Sequence, residues 1–236
     1  MLKFIAAIAM VCDHMGVILF PEAEWLRIIG RLAFPIFAYL IAEGSKYTRN
    51  KTKHLLTMAG FAAVIQIVYY VYSRSLEMSV MVTFTLSVII IYALETCKSA
   101  IYSKDSSLAG KILTATLFVS TIVLAVAADL TVDLDYGLSG CLLPVFPALL
   151  TTPRCENPPE IFKKLDTKLP RVFLFSLGTL ALAFDYGGVQ FLGLLTIPLL
   201  LLYSEKRGRL KMKYFFYVFY PLHLVLLQFI AMLMSR

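Results

Sequence analysis

Long apolar runs separated by short polar interruptions mark this chain from end to end. A helix that crosses a bilayer needs roughly 17–25 mostly apolar residues. Runs at 3–20, 26–44, 55–72, 79–96, 111–128, 137–151, 171–184, 189–203 and 214–234 predict nine membrane-spanning helices. The sixth to eighth are short. Pro144 and Pro147 within the sixth predict a kink or a break, because each lacks an N–H and crowds the preceding turn. The first run follows Lys3 as a signal peptide might. Asp13 and His14 interrupt it, however, and no small-residue cleavage pattern follows, so a retained helix is expected.

Composition supports the same class. Of 236 residues, 59% are hydrophobic and 16% charged, whereas a soluble domain has roughly 45–50% apolar and about 25% charged residues. The expectation is an all-α polytopic membrane bundle forming one transmembrane domain over residues 1–236. The net charge of +7 would suggest nucleic acid in a soluble protein, but here position explains it. Eighteen of the 22 basic residues fall at Lys3 or in the loops after the second, fourth, sixth and eighth spans. Basic residues stay cytoplasmic, so the N-terminus is expected inside and the C-terminus outside, with no nucleic-acid partner. The four cysteines, Cys12, Cys97, Cys141 and Cys155, have no obvious partners outside the membrane and no zinc-ligand spacing with histidines; neither a disulfide nor a metal site is expected.

Ionisable residues inside the apolar runs stand out, since each costs about 2.5–3.5 kcal/mol on insertion scales and calls for a partner or a role. Asp13 and His14 lie near mid-membrane in the first span. Arg31 enters the second span from the outer side, and the short connection at 21–25 makes these spans antiparallel neighbours, so Arg31 can reach toward Asp13. Glu43, at the cytoplasmic end of the second span, is expected to be a solvated helix end. His223 lies about 13 Å from the cytoplasmic side and His14 about 16 Å, similar depths. Each of these residues suits either helix locking or chemistry: His14 as a general base, Arg31 as an anion stabiliser, His223 as a second base or a satisfied core histidine. Asp135-Tyr136-Gly137 and Asp185-Tyr186-Gly187 echo each other before Pro-containing runs, as two similar turns or a remnant repeat. The basic loops suit topology and anionic lipid; the densest, Lys206-Arg207-Gly208-Arg209, could also hold phosphates.

Several motifs, in order along the chain, carry a resemblance. They are Asp13-His14-Met15-Gly16, Gly30-Arg31-Leu32-Ala33-Phe34-Pro35-Ile36-Phe37, Ala42-Glu43-Gly44, Asp135-Tyr136-Gly137, Leu202-Tyr203 with Lys206-Arg207-Gly208, and Phe219-Tyr220-Pro221-Leu222-His223-Leu224. Together they resemble the TraX family of bacterial membrane proteins. The chain departs from the family pattern at Ser204-Glu205, where Asn-Gly is usual. The resemblance implies a multi-pass acetyltransferase of the bacterial inner membrane, associated with conjugation and pilin acetylation, with a transmembrane acyltransferase-like domain. Cytoplasmic acetyl-CoA would be the co-substrate, and the acceptor an envelope peptide or glycan. On that reading His14, Asp13, Arg31 and His223 are the catalytic candidates, with Asp13 orienting His14 or supporting its charged form. His14 would act as base or become transiently acetylated. Lys206, Arg207, Arg209 and Tyr220 are the acetyl-CoA-binding candidates. The alternative class is a transporter or assembly component using the buried Asp-His-Arg set as a proton relay or helix lock; the lack of clear inverted repeats weighs against a transporter.

Overall fold

The computed structural model describes residues 2–74, 77–204 and 213–234. Helices dominate; among the described residues there is no strand, only one isolated parallel bridge between Met78 and Leu134. Among the described residues, five stretches are long and apolar enough to cross a bilayer: Glu24–Tyr47, Lys51–Val71, Val80–Tyr102, Leu108–Thr131 and Lys168–Tyr186. Gly137–Leu149, Gly188–Leu202 and Val218–Met234 are apolar but shorter, as is the first helix, α1 (Leu2–Ile18, 17 residues). The chain is an all-helical membrane protein.

It divides into two compact units, Met1–Phe37 with Tyr186–Arg236, and Ala38–Asp185. The first unit holds α1, α2 (Glu24–Gly30) and the first turn of α3 (Ala33–Tyr47). The second expected span is therefore not one uninterrupted helix. Pro35 has no N–H to give the Arg31 carbonyl and its ring crowds that carbonyl, so the chain breaks at Arg31–Leu32 and restarts with Pro35 in the first turn of α3, where no bond is lost.

The second unit contains the rest of α3, followed by α4 (Lys51–Ser73), α5 (Val80–Tyr102), α6 (Leu108–Thr131), α7 (Gly137–Leu142), α8 (Val145–Leu149), α9 (Glu160–Leu165) and α10 (Lys168–Tyr186). α4 starts on Asn50, whose side chain accepts from the Lys53 N–H at 2.8 Å; Ser107 caps α6 in the same way at 3.1 Å. The expected interruption of the sixth span falls between α7 and α8, at Leu143–Pro144. Val88, Ile91, Ala125, Val145 and Ala148 form a core between α5, α6 and α8. α6 fully buries only Ala125 within the chain and leaves much of its apolar surface exposed, which suits lipid and would be costly in water.

Three of the basic residues assigned to topology and lipid contact also have partners within the chain. Arg171 is 1% exposed and pairs with Glu43, itself 6% exposed. Glu43 is thus a buried ion-pair partner and not a solvated helix end, because α10 brings a cation against it. Lys46 Nζ lies 2.8 Å from Asp166 Oδ1. Lys98 donates to the Leu149 carbonyl at 3.0 Å and to the Thr151 carbonyl, satisfying orphan oxygens at and just beyond the end of α8.

Asp166 makes this network sensitive to acid. Burial pushes its carboxyl up, but the hydrogen bond from Lys46, the Thr152 N–H at 3.0 Å and the Lys46 charge outweigh burial and hold it below the usual carboxylate range. A group depressed in the folded state stabilises fully above its unfolded pKa and loses that contribution as pH falls through its folded value. Thermal melts across the acidic range should show the wild type losing stability below the ordinary carboxylate pKa and Asp166→Asn declining less steeply. Parallel declines would assign the acid sensitivity to other groups.

The first unit resumes after Tyr186 with a 3-10 helix (Gly188–Leu195), α11 (Thr196–Leu202) and α12 (Lys213–Met234). The eighth expected span thus opens as a tight 3-10 stretch. Pro198 has no N–H for the Leu194 carbonyl, which interrupts α-helical bonding there. Both Asp-Tyr-Gly segments are turns through left-handed backbone, with positive φ at Tyr136 and Gly137 in one and at Gly187 and Gly188 in the other.

Candidate functional site

Asp13, His14, Arg31 and His223, four of the residues singled out in the sequence, lie in the first unit. α1 carries Asp13 and His14 in its last two turns, and adjacent helical positions point roughly 100° apart. They therefore reach different partners.

Asp13 faces α2. Its Oδ1 lies 2.5 Å from Arg31 Nη2 and 3.4 Å from Arg27 Nε. Arg27 and Arg31 are one turn apart and converge on the one carboxylate. Arg31 Nη1 also donates to Gln190 Oε1 of the 3-10 stretch at 3.3 Å. Two glycines permit this approach: a Cβ on Gly30 would overlap the Asp13 carboxylate, and one on Gly16 would meet Arg27 Cδ and Leu26 Cβ, each at 3.1 Å. These are the glycines of the Asp-His-Met-Gly and Gly-Arg motifs, and their role is to let α1 and α2 touch.

His14 faces α12. Its Nδ1 is 2.8 Å from His223 Nε2. His223 Nδ1 lies 2.9 Å from the Phe219 carbonyl oxygen one turn earlier. The Phe219 ring stacks on His223 with centroids 5.2 Å apart, and the Tyr220 ring meets it edge-on at 5.6 Å. Phe219 and Tyr220 also pack against Ala9, Met10 and Ala33. His223 is 6% exposed; His14 is only half-buried. An apolar hollow of about 260 Å³, lined by Phe4, Ala7, Ile8, Val11, Cys12 and Phe219, shares Phe219 with the surroundings of His223.

The expected meeting of Arg31 with Asp13 is present. Arg27 joins Arg31 on the Asp13 carboxylate, while His14 bonds to His223. Tyr220 lies against His223. Lys206, Arg207 and Arg209 lie outside the described residues. Arg27 and Gln190 escaped the sequence reading. Arg27 was legible as the residue four before Arg31 on the same helical face; Gln190 had only the weaker signal of a polar residue at the start of an apolar run. Among the described residues no cluster of three or more His, Cys, Asp or Glu could hold a metal, and all four cysteines are free thiols.

The family model described as TraX protein matches residues 1–231. The chain belongs to the TraX family. It is similar to the "Probable fimbrial assembly protein FimC, serogroup H1" of Dichelobacter nodosus, with 27% identity over 245 residues covering 96% of this chain and 92% of that protein. An uncharacterised protein of Rickettsia prowazekii shares 39% identity over 67 residues, covering 28% of this chain and 25% of its own length. No solved structure matches the chain.

Proposed function

We propose that this TraX-family chain is an acetyltransferase of the bacterial cytoplasmic membrane, moving an acetyl group from cytoplasmic acetyl-CoA to an envelope acceptor. The acceptor is the N-terminal amine of a pilin-like peptide or a sugar hydroxyl or amine. The topology proposed with it is nine spans, N-inside and C-outside. The observation that carries this reading is the His14–His223 pair: a partly exposed histidine held at 2.8 Å by a buried one.

In this reading His14 takes the proton from the acceptor nucleophile as it attacks the thioester carbonyl. The Asp13–Arg27–Arg31 cluster fixes α1 against α2 and supplies positive potential for the developing oxyanion. Lys206, Arg207 and Arg209 hold the phosphates of acetyl-CoA at the cytoplasmic mouth, and Tyr220 borders its path toward the histidines. The apolar hollow beside Phe219 suits the hydrophobic part of a membrane-embedded acceptor.

A second reading has its own support in the engagement of Asp13 by Arg27 and Arg31, which is what a helix lock would look like. There the chain is an assembly component without chemistry. Purified protein in proteoliposomes, given acetyl-CoA and a synthetic pilin-like N-terminal peptide or an envelope glycan fraction, separates the two. Free CoA and acetylated acceptor should accumulate together, in equal amounts and only when both substrates are present. No turnover with any envelope fraction would favour the assembly reading.

A further inference from the structure

The hydrogen bonds around the two histidines have a direction that their chemistry fixes. A carbonyl oxygen only accepts, so His223 Nδ1, 2.9 Å from the Phe219 oxygen, carries a hydrogen. In a neutral ring the other nitrogen, Nε2, is then a bare lone pair. His14 Nδ1 lies 2.8 Å from it, a separation that needs one hydrogen between the two nitrogens. That hydrogen belongs to His14 Nδ1. The remaining nitrogen of His14, Nε2, therefore has no hydrogen and is the basic end of the chain.

Burial runs in the same direction. His223 is 6% exposed, with Phe219 stacked on its ring and Tyr220 meeting it edge-on, which holds the ring in place inside the protein. His14 is the more exposed of the two residues. The carboxylate that usually orients a catalytic imidazole is absent from this chain of bonds, since Asp13 is engaged by two arginines. The Phe219 carbonyl and His223 occupy its place.

We propose that His223 is a positioning residue and not a second base: it fixes the tautomer of His14 so that Nε2 faces the acceptor as the base, and it receives the proton that His14 passes on. The use of this base rests on the acetyl-transfer reading; the polarity of the pair does not. The nucleophile's N–H or O–H hydrogen moves to His14 Nε2 as its electron pair forms the bond to the acetyl carbon. The hydrogen on His14 Nδ1 shifts to His223 Nε2. His14 is then neutral with its hydrogen on Nε2, and the positive charge rests on His223, whose Nδ1–H stays on the Phe219 oxygen. When the carbon–sulfur bond breaks, its electron pair leaves on sulfur, His14 Nε2 returns a proton to the thiolate, and the hydrogen moves back from His223 Nε2 to His14 Nδ1. The sum is thioester plus acceptor giving acetylated acceptor plus free thiol, with both rings restored.

The chain has three histidines, so nitrogen NMR of the full-length protein labelled with 15N-histidine, in lipid nanodiscs, gives six ring signals that single His→Asn variants assign. The expected result is a hydrogen on Nδ1 and a bare Nε2 in both His14 and His223. A hydrogen on His14 Nε2 with a bare Nδ1 in the resting protein would overturn the proposal, whatever the enzyme activity. In His223→Leu the His14 tautomer should no longer be fixed, and acetyl transfer should fall about 100-fold in kcat with KM for acetyl-CoA unchanged, a loss in the range expected for a disturbed general base. An unaltered His14 tautomer in that variant would equally remove the positioning role. The expected tautomers in a protein that transfers no acetyl group would support the polarity and refute the acetyl-transfer reading alone.

Discussion

His14→Asn should lower acetyl transfer by about 10²–10⁴-fold, the range for loss of a positioned general base, while leaving the protein folded. Asparagine can still donate to the His223 Nε2 lone pair, so the buried ring is not stranded. It has no nitrogen basic enough to take a proton near neutral pH. His14→Ala should lose activity as completely but also lower thermal stability, because it leaves His223 Nε2 buried without a donor, at a cost of about 1–3 kcal/mol. The two variants separate chemistry from folding: equal activity losses with unequal melting temperatures point to a base. Near-normal turnover by a well-folded His14→Asn protein would remove His14 from the mechanism.

The largest effect on stability is expected at Arg171. This residue is 1% exposed, and its charge is balanced by Glu43, with Asp166 Oδ1 further off at 3.8 Å and the Tyr39 ring 6.0 Å from the guanidinium carbon. Arg171→Met fills much the same volume but removes the cation paired with the buried Glu43 carboxylate. Breaking a buried pair from one side costs about 3–5 kcal/mol. At about 2–4 °C per kcal/mol for a chain of this size, the melting temperature should fall by roughly 6–20 °C. Arg171→Met combined with Glu43→Gln should recover most of that loss, because no unpaired charge remains and Asp166 keeps Lys46. A double variant as unstable as the single one would mean that Arg171 acts through packing alone.

The elements themselves were largely written in the one-dimensional pattern. Every apolar run contains helix because a backbone in lipid has to satisfy its polar groups within the segment, and Pro144 marked the break between α7 and α8 in advance. Pro35 and Pro198 carried the same information for the Arg31–Leu32 break and the 3-10 stretch, by the same missing N–H. The Asp13–Arg31 meeting was legible because the connection at 21–25 is short and leaves α1 and α2 no choice but to be neighbours.

What the sequence alone determined was therefore the membrane class, the helices, and which side chains are too costly in an apolar run to be idle. Hydropathy is a property of each residue and its near neighbours, and it needs no partner to be read. The pairings were decided only by the tertiary structure. Depth along the helix axes put His14 and His223 at one level, but depth fixes neither the rotation of a helix nor its neighbour, and the 2.8 Å contact depends on both. Glu43 and Arg171 each looked like a solvated or topological charge at a helix end, because burial depends on what another segment places against a residue. Only the packing of α10 against α3 turned two apparent surface charges into a buried pair. The direction of the histidine pair came last of all, since it depends on a backbone carbonyl, at Phe219, that no pattern of side chains reveals.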